Sequence, residues 1–140
     1  MARISYDGFK EAEHVLGRMS RGSIRRIVMA GGAAAAARMA ARTEDKGHTR
    51  TGDMKGAIGM TDYREDLDGG SVEVYPLGDD RKGVRNATKA FVTNYGRGGA
   101  RGPKMGDRFI TGDIRRAKEA AHAAMAAEFA QIAAEARGGR

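Results

Sequence analysis

The residues best suited to chemistry are few and scattered. Three histidines, His14, His48 and His122, share no metal-ligand spacing. His14 and His122 fall in helical stretches and His48 in a polar loop, so all three read as exposed side chains. The chain has no cysteine, which excludes a disulfide framework and thiolate chemistry and is compatible with a reducing cytosol. No Gly-x-Ser-x-Gly nucleophile motif is present. The run Gly99-Ala100-Arg101-Gly102-Pro103-Lys104 lacks the spacing of a phosphate loop and has no Ser or Thr after its lysine. Asp62, Glu65, Asp66 and Asp68 are close in sequence, but not in the order of a calcium loop. They read as a solvated hairpin tip. The sequence therefore offers no catalytic, cofactor-binding or metal-ligating constellation, and we expect a non-enzymatic protein that needs no cofactor.

A different chemistry is available to the basic segment. Arg97, Arg101, Lys104 and Arg108 follow Tyr95 in a glycine-rich stretch. Arginines contact phosphates and an aromatic ring stacks on bases. The same composition suits a surface or assembly loop, then a subunit-contact arm, and only then a DNA contact. Charge distribution bears on this choice. Residues 1–50 carry net +5, residues 51–80 net −6, residues 81–113 net +6 and residues 114–140 net +2, for a total of +7. The acidic middle interrupts any continuous basic face. It also allows acidic-to-basic pairing between copies around a ring. We expect Arg97, Arg101, Lys104 and Arg108, together with Asp62, Glu65, Asp66 and Asp68, to contact other subunits or partners.

The elements that must position these residues are legible from periodicity. Phe9, Ala12, Val15, Leu16 and Met19 share one face of a helix expected from about Asp7 to Met19. Ser20-Arg21-Gly22 breaks it, and Ser23 is expected to cap a second helix running to about Arg42. Its Gly31-Gly32 pair and the five alanines after it read first as a low-complexity weak point, and second as a close-packing surface. Thr51 to Ile58 suggests a short helical turn. Met60–Glu65 and Ser71–Leu77 read as strands joined by a turn at Asp68-Gly69. Val72, Val74 and Pro76 alternate with Glu73 and Tyr75. Phe91, Val92, Tyr95 and Phe109 are expected to pack in the fold or beneath the basic loop. Ile114, Ala117, Ala121, Met125, Phe129, Ile132 and Ala136 trace one stripe of a long last helix, with Asp107 or Asp113 as cap and Gly138-Gly139 as its end.

These elements predict one α+β domain over residues 1–140. It comprises two N-terminal helices (5–43), a small antiparallel sheet with a hairpin (β region 58–96), a basic Gly-rich loop (96–107) and a long C-terminal helix (108–137). Its core must be thin. Of the apolar residues 25 are alanine, and Leu, Ile, Val and Phe together number only 20 of 140 residues. A domain with so little to bury gains stability from partner subunits. No apolar run approaches the length of a membrane span, and the charged N-terminus does not read as a signal peptide.

Three segments, taken in order, resemble a known family. They are Arg50-Thr51-Gly52-Asp53-Met54-Lys55-Gly56-Ala57-Ile58, then Val84 to Gly96 with its Tyr95-Gly96 end, then Gly106-Asp107-Arg108-Phe109-Ile110 ahead of the last helix. Across residues 5–136 this order is similar to the tail-completion proteins of tailed bacteriophages, also called minor tail, neck or head–tail joining proteins. Asp53 stands where that pattern commonly has leucine, and Arg108-Phe109 replaces its Pro-Phe pair. The resemblance implies a homo-oligomeric ring, commonly six-fold, between the head-connector and tail-tube proteins. DNA passes through its lumen without sequence-specific binding. It implies a virion protein assembled in the bacterial host cytoplasm, with no membrane partner. A tail terminator or head-closure protein is a near neighbour of this reading, and a basic nucleic-acid-binding module is the alternative from another class.

Overall fold

The structure, a computed structural model, describes residues 20–46, 52–66, 69–100, 102 and 104–138. The helix expected over 7–19 and the residues Thr51, Asp68 and Arg101 lie outside them. The expected α+β class holds: long helices pack with small antiparallel ladders.

Helix α1 spans Arg21–Asp45. Its cap is Ser20, not Ser23: the Ser20 hydroxyl accepts the Ser23 backbone N–H at 3.3 Å and satisfies one of the unpaired donors of the first turn. Helix α2 is one short turn, Asp53–Ala57, entered through Gly52 in the left-handed region (φ 73°), where glycine carries no Cβ penalty. Strands β1 (Ile58–Met60), β2 (Arg64–Asp66), β3 (Gly69–Ser71) and β4 (Val74–Pro76) form one long hairpin. Ile58 pairs with Pro76 and Met60 with Val74, whereas Arg64 pairs with Ser71. The register therefore slips by one residue, with Thr61–Tyr63 opposing Val72–Glu73. This is a β-bulge. Thr61 N–H donates to the Glu73 carbonyl at 2.9 Å, and Glu73 N–H donates to the Thr61 hydroxyl at 3.0 Å. The alternation expected on the return strand is seen: Val72 and Val74 are half-buried, Pro76 is buried, and Glu73 and Tyr75 are exposed.

The expected β region does not continue to residue 96. Asn86–Tyr95 is a helix, α3. The basic loop is closed by two two-residue strands, β5 (Gly96–Arg97) and β6 (Lys104–Met105), paired antiparallel. A 3-10 turn, Thr111–Asp113, then leads into α4, Ile114–Gly138. The last helix thus starts later than residue 108.

Helices α1 and α4, each 25 residues and about 37 Å long, lie antiparallel and form the main packing contact. The Gly31-Gly32 pair sits at their crossing. A Cβ on Gly31 would lie 2.7 Å from Met125 Cγ, and one on Gly32 would lie 2.7 Å from Val72 Cγ2 and 2.9 Å from Met60 Sδ. Adjacent residues on a helix point about 100° apart, so one glycine admits α4 and the other admits the β-hairpin. The pair is a close-packing surface, and the weak-point reading is corrected. Arg26 at one end of the pair bonds Glu128 (2.7 Å) and Glu135 (3.0 Å). Arg38 at the other end makes a two-pronged contact with Asp113, at 2.6 and 2.8 Å.

The core is thin. Among the described residues the buried apolar side chains are Ala90, Phe109, Ile132 and Ala133, with Pro76 at the end of the hairpin. The expected stripe on α4 is partly displaced. Ile132 is buried, but Ile114 and Phe129 are exposed, because the contact line with α1 passes Ala121, Met125 and then Ile132–Ala133 and leaves those two side chains on its flank.

The two glycines should respond differently to a methyl group. Alanine gains about 1 kcal/mol of helix propensity at either site. At Gly32 that gain is opposed by overpacking against the stiff, branched Val72, typically about 1–3 kcal/mol. Gly32→Ala is expected to lower the urea midpoint, while Gly31→Ala, facing the flexible Met125, leaves it unchanged or raises it.

Candidate functional site

Helix α3 has the reverse of ordinary helix patterning. Asn86, Ala90 and Asn94, four residues apart, are each 2 % exposed and face inward. Phe91 and Tyr95 face outward at 62 % and 57 % exposure, with ring centroids 4.8 Å apart. The expectation that Phe91 and Tyr95 pack within the fold is therefore corrected. Phe109 meets it fully, at 0 % exposure, and Val92 is half-buried.

The inward asparagines explain the inversion. Asn94 Oδ1 accepts the backbone N–H groups of Ile110 (3.0 Å) and Thr111 (3.1 Å). It caps, from another element, the turn that starts α4. Its carbonyl accepts Arg108 N–H at 3.0 Å. Asp107, one of the two expected caps, accepts Phe109 N–H, and the other, Asp113, accepts Arg38. Asn86 donates through Nδ2 to the Leu77 carbonyl at 3.1 Å, which ties α3 to the end of the β-hairpin. Burial of polar groups is tolerated where hydrogen bonds replace water. Once asparagines hold the inner face, the aromatics at the complementary helical positions must point outward.

At the C-terminal end of α3 the backbone makes a very close crossing. Gly96 has φ 88°, and a Cβ there would overlap the Lys104 carbonyl. A Cβ on Gly106 would overlap the Asn94 carbonyl. This crossing aligns Arg97 with Lys104 and Gly96 with Met105. Arg97 and Lys104 are exposed and have no ion pair among the described residues. Like charges directly opposed on a ladder are destabilising. Met105 is 91 % exposed. Val92, Thr93, Gly96, Arg97, Lys104, Met105 and Asp107 line an open cleft of about 320 Å³ beside this corner.

The described part of the acidic hairpin lies along the first half of α1. Glu65 is paired with Arg21 at 3.1 Å, at the start of α1, and Arg25 stands over the Tyr63 ring at 5.8 Å. The basic corner adjoins the end of α1, where Arg42 donates to the Phe109 carbonyl at 3.3 Å. From Arg21 to Arg42 the helix rises about 32 Å. The structure thus separates the expected acidic and basic contact residues rather than joining them in one site. Asp62 is exposed, Asp66 lies in β2 opposite Gly69, and Arg108 is exposed with φ 52° in the turn before Phe109.

The loop before α3 is clamped by Asp80. Its carboxylate accepts the Lys82 and Val84 backbone N–H groups, both at 2.8 Å, and the Lys89 ammonium. The Lys89 contact, followed by the Val84 amide, holds its pKa down to about 2. Arg38 holds Asp113 below the usual carboxylate range, against the opposing effect of burial. Among the described residues no group of three or more His, Asp or Glu side chains could hold a metal ion. No helix among them is long and apolar enough to cross a membrane.

Comparison of the chain with protein-family models, with curated proteins and with solved structures gives no match. The geometry therefore carries the functional argument. The outward aromatic pair, the exposed Met105 and the two opposed cations are its most distinctive surface features.

Two measurements test this assignment of inward and outward residues. Phe109→Ala is expected to destabilise the fold by about 3–5 kcal/mol, whereas Phe91→Ser and Tyr95→Ser leave the thermal midpoint nearly unchanged. The Asp80 clamp has a defined pH signature. A depressed folded-state pKa stabilises the protein fully above about pH 4, the unfolded carboxylate value, and this stabilisation is lost as pH falls through about 2. Asp80→Asn should therefore lower stability at neutral pH and flatten the acid limb of the curve.

Proposed function

We propose that this chain is a non-catalytic structural subunit of the head–tail junction of a tailed bacteriophage. It would be a tail-completion or neck subunit, placed in a ring between tail tube and head connector, with DNA passing through the lumen. The observation that carries the reading is α3, which buries asparagines and presents Phe91 and Tyr95 to solvent. A lone subunit gains nothing from that arrangement, and a subunit covered by a neighbour does. The thin core supports the same reading. So does the separation of acidic and basic ends, since a surface that differs at its two ends suits head-to-tail contacts that close into a ring.

The segments behind the resemblance also take structural roles. Tyr95-Gly96 forms the corner between α3 and β5. Phe109 is the fully buried root of the turn that starts the last helix.

A nucleic-acid-binding module is the second reading, favoured by one observation: Arg97 and Lys104 stand next to the exposed Tyr95. It requires DNA affinity that falls steeply with salt.

The deciding experiment is genetic and visual. In a lysogen or phage carrying this gene, deletion is expected to yield separate filled heads and tails by electron microscopy, and plasmid expression of the chain restores joined particles. A complementing copy with Arg97, Arg101 and Lys104 changed to Glu should restore joined particles poorly. Normal joined particles in the deletion strain would overturn the proposal.

A further inference from the structure

We infer that the outward face of α3, with Phe91, Tyr95 and Met105 rimmed by Arg97 and Lys104, is the docking site for the hairpin bulge of a second copy of this chain, through Asp62 and Glu73. The inference rests on the assembly reading above and names the partner of that surface.

Three independent features converge on it. The first is the inverted patterning of α3, which leaves Phe91 and Tyr95 exposed, beside β6, where Met105 pairs with Gly96 and is 91 % exposed. Exposed apolar clusters rimmed by charge mark protein interfaces. The second is the direct opposition of Arg97 and Lys104 across β5–β6. Two unpaired cations side by side are unfavourable in the lone chain, and an approaching carboxylate relieves that repulsion. The third is the bulge itself. The Thr61–Glu73 hydrogen bonds fix it, and Asp62 and Glu73 both lie exposed on it, with no ion pair among the described residues. Glu65 is already held by Arg21, and Asp62 and Glu73 are the hairpin carboxylates without an ion pair among the described side chains. Tyr75, 36 % exposed, lies two residues beyond Glu73 in β4 and adds an apolar contact.

The chemistry favours a protein over nucleic acid at this corner. Asp107 lines the same cleft as Arg97 and Lys104 and opposes a phosphate. Met105 offers apolar surface rather than a charge or a stacking ring. The bulge packs along the first half of α1, between Arg25 and Gly32, the basic corner adjoins its end at Arg42, and no ion pair joins the two within one copy among the described residues. Contact then runs from copy to copy, and its repetition head to tail closes a ring.

A charge exchange tests this directly by sedimentation velocity at low salt. The wild-type chain is expected to self-associate. The Arg97→Glu/Lys104→Glu variant and the Asp62→Lys/Glu73→Lys variant should each weaken association by at least about tenfold, because like charges then meet. Mixing the two variants, or placing all four changes in one chain, should restore it. Phe91→Ser/Tyr95→Ser should weaken association without changing the circular dichroism spectrum. Failure of the four-change chain to recover while it remains folded would overturn the pairing. A wild-type chain that stays monomeric up to about 1 mM would overturn the copy–copy contact and leave the junction reading to the particle experiment. Salt-sensitive binding of a single-stranded oligonucleotide, lost in the Arg97→Glu/Lys104→Glu variant, would overturn it in favour of nucleic acid. Self-association that behaves as expected, in a chain whose deletion leaves particles joined, would refute the junction role alone.

Discussion

The missing side chains of Gly31 and Gly32 control the architecture. Each glycine admits a different neighbour: Met125 of α4 on one side, Val72 and Met60 of the hairpin on the other. A helix normally keeps its neighbours at side-chain distance. Here side chains of two elements rest directly on the backbone of the same turn of α1, and this close packing replaces the large apolar volume that the chain lacks. The ion pairs at either end, Arg26 with Glu128 and Glu135 and Arg38 with Asp113, then fix how the two long helices lie along one another.

From that frame the position of α3 follows. The root of α4 is a turn with unpaired N–H groups, and Asn94 supplies the acceptor they need. The other end of α3 is tied by Asn86 to the end of the hairpin and by Asp80 to Lys89. Polar anchoring on the inside leaves the aromatic residues on the outside. The exposed Phe91 and Tyr95 are thus a consequence of how the fold satisfies its backbone, and they give the molecule an adhesive corner. The same corner carries opposed cations, because the Gly96–Gly106 crossing sets the β5–β6 register.

The titratable groups with shifted pKa values serve the fold. Its depressed carboxylates, Asp80, Asp113 and Glu135, are each engaged by a cation, and the first also by backbone N–H groups. Such groups hold elements together. The charges without an ion pair among the described residues, Asp62 and Glu73 on the bulge and Arg97 and Lys104 on β5–β6, lie on separate parts of the surface.

The sequence by itself determined the α+β class, the two long helices, the β-hairpin with its inward Val72 and Val74, and the poverty of the core. Those features are local: periodicity, turn residues and composition report them directly. The burial of Phe109 was also legible, since it precedes a strong helix. Tertiary structure decided the rest. A Gly-Gly pair in an alanine-rich helix reads as a weak point until the elements it admits are in place. Asn86–Tyr95 reads as part of a β region because Phe91-Val92-Thr93 suits a strand, and only the capping demand of a turn 16 residues later makes it a helix with asparagines inside. The acidic and basic contact residues are evident as charge runs. That Glu65 is paired with Arg21 at the start of α1 while the basic corner adjoins its end at Arg42 depends on contacts between residues more than 40 positions apart, which no local pattern encodes.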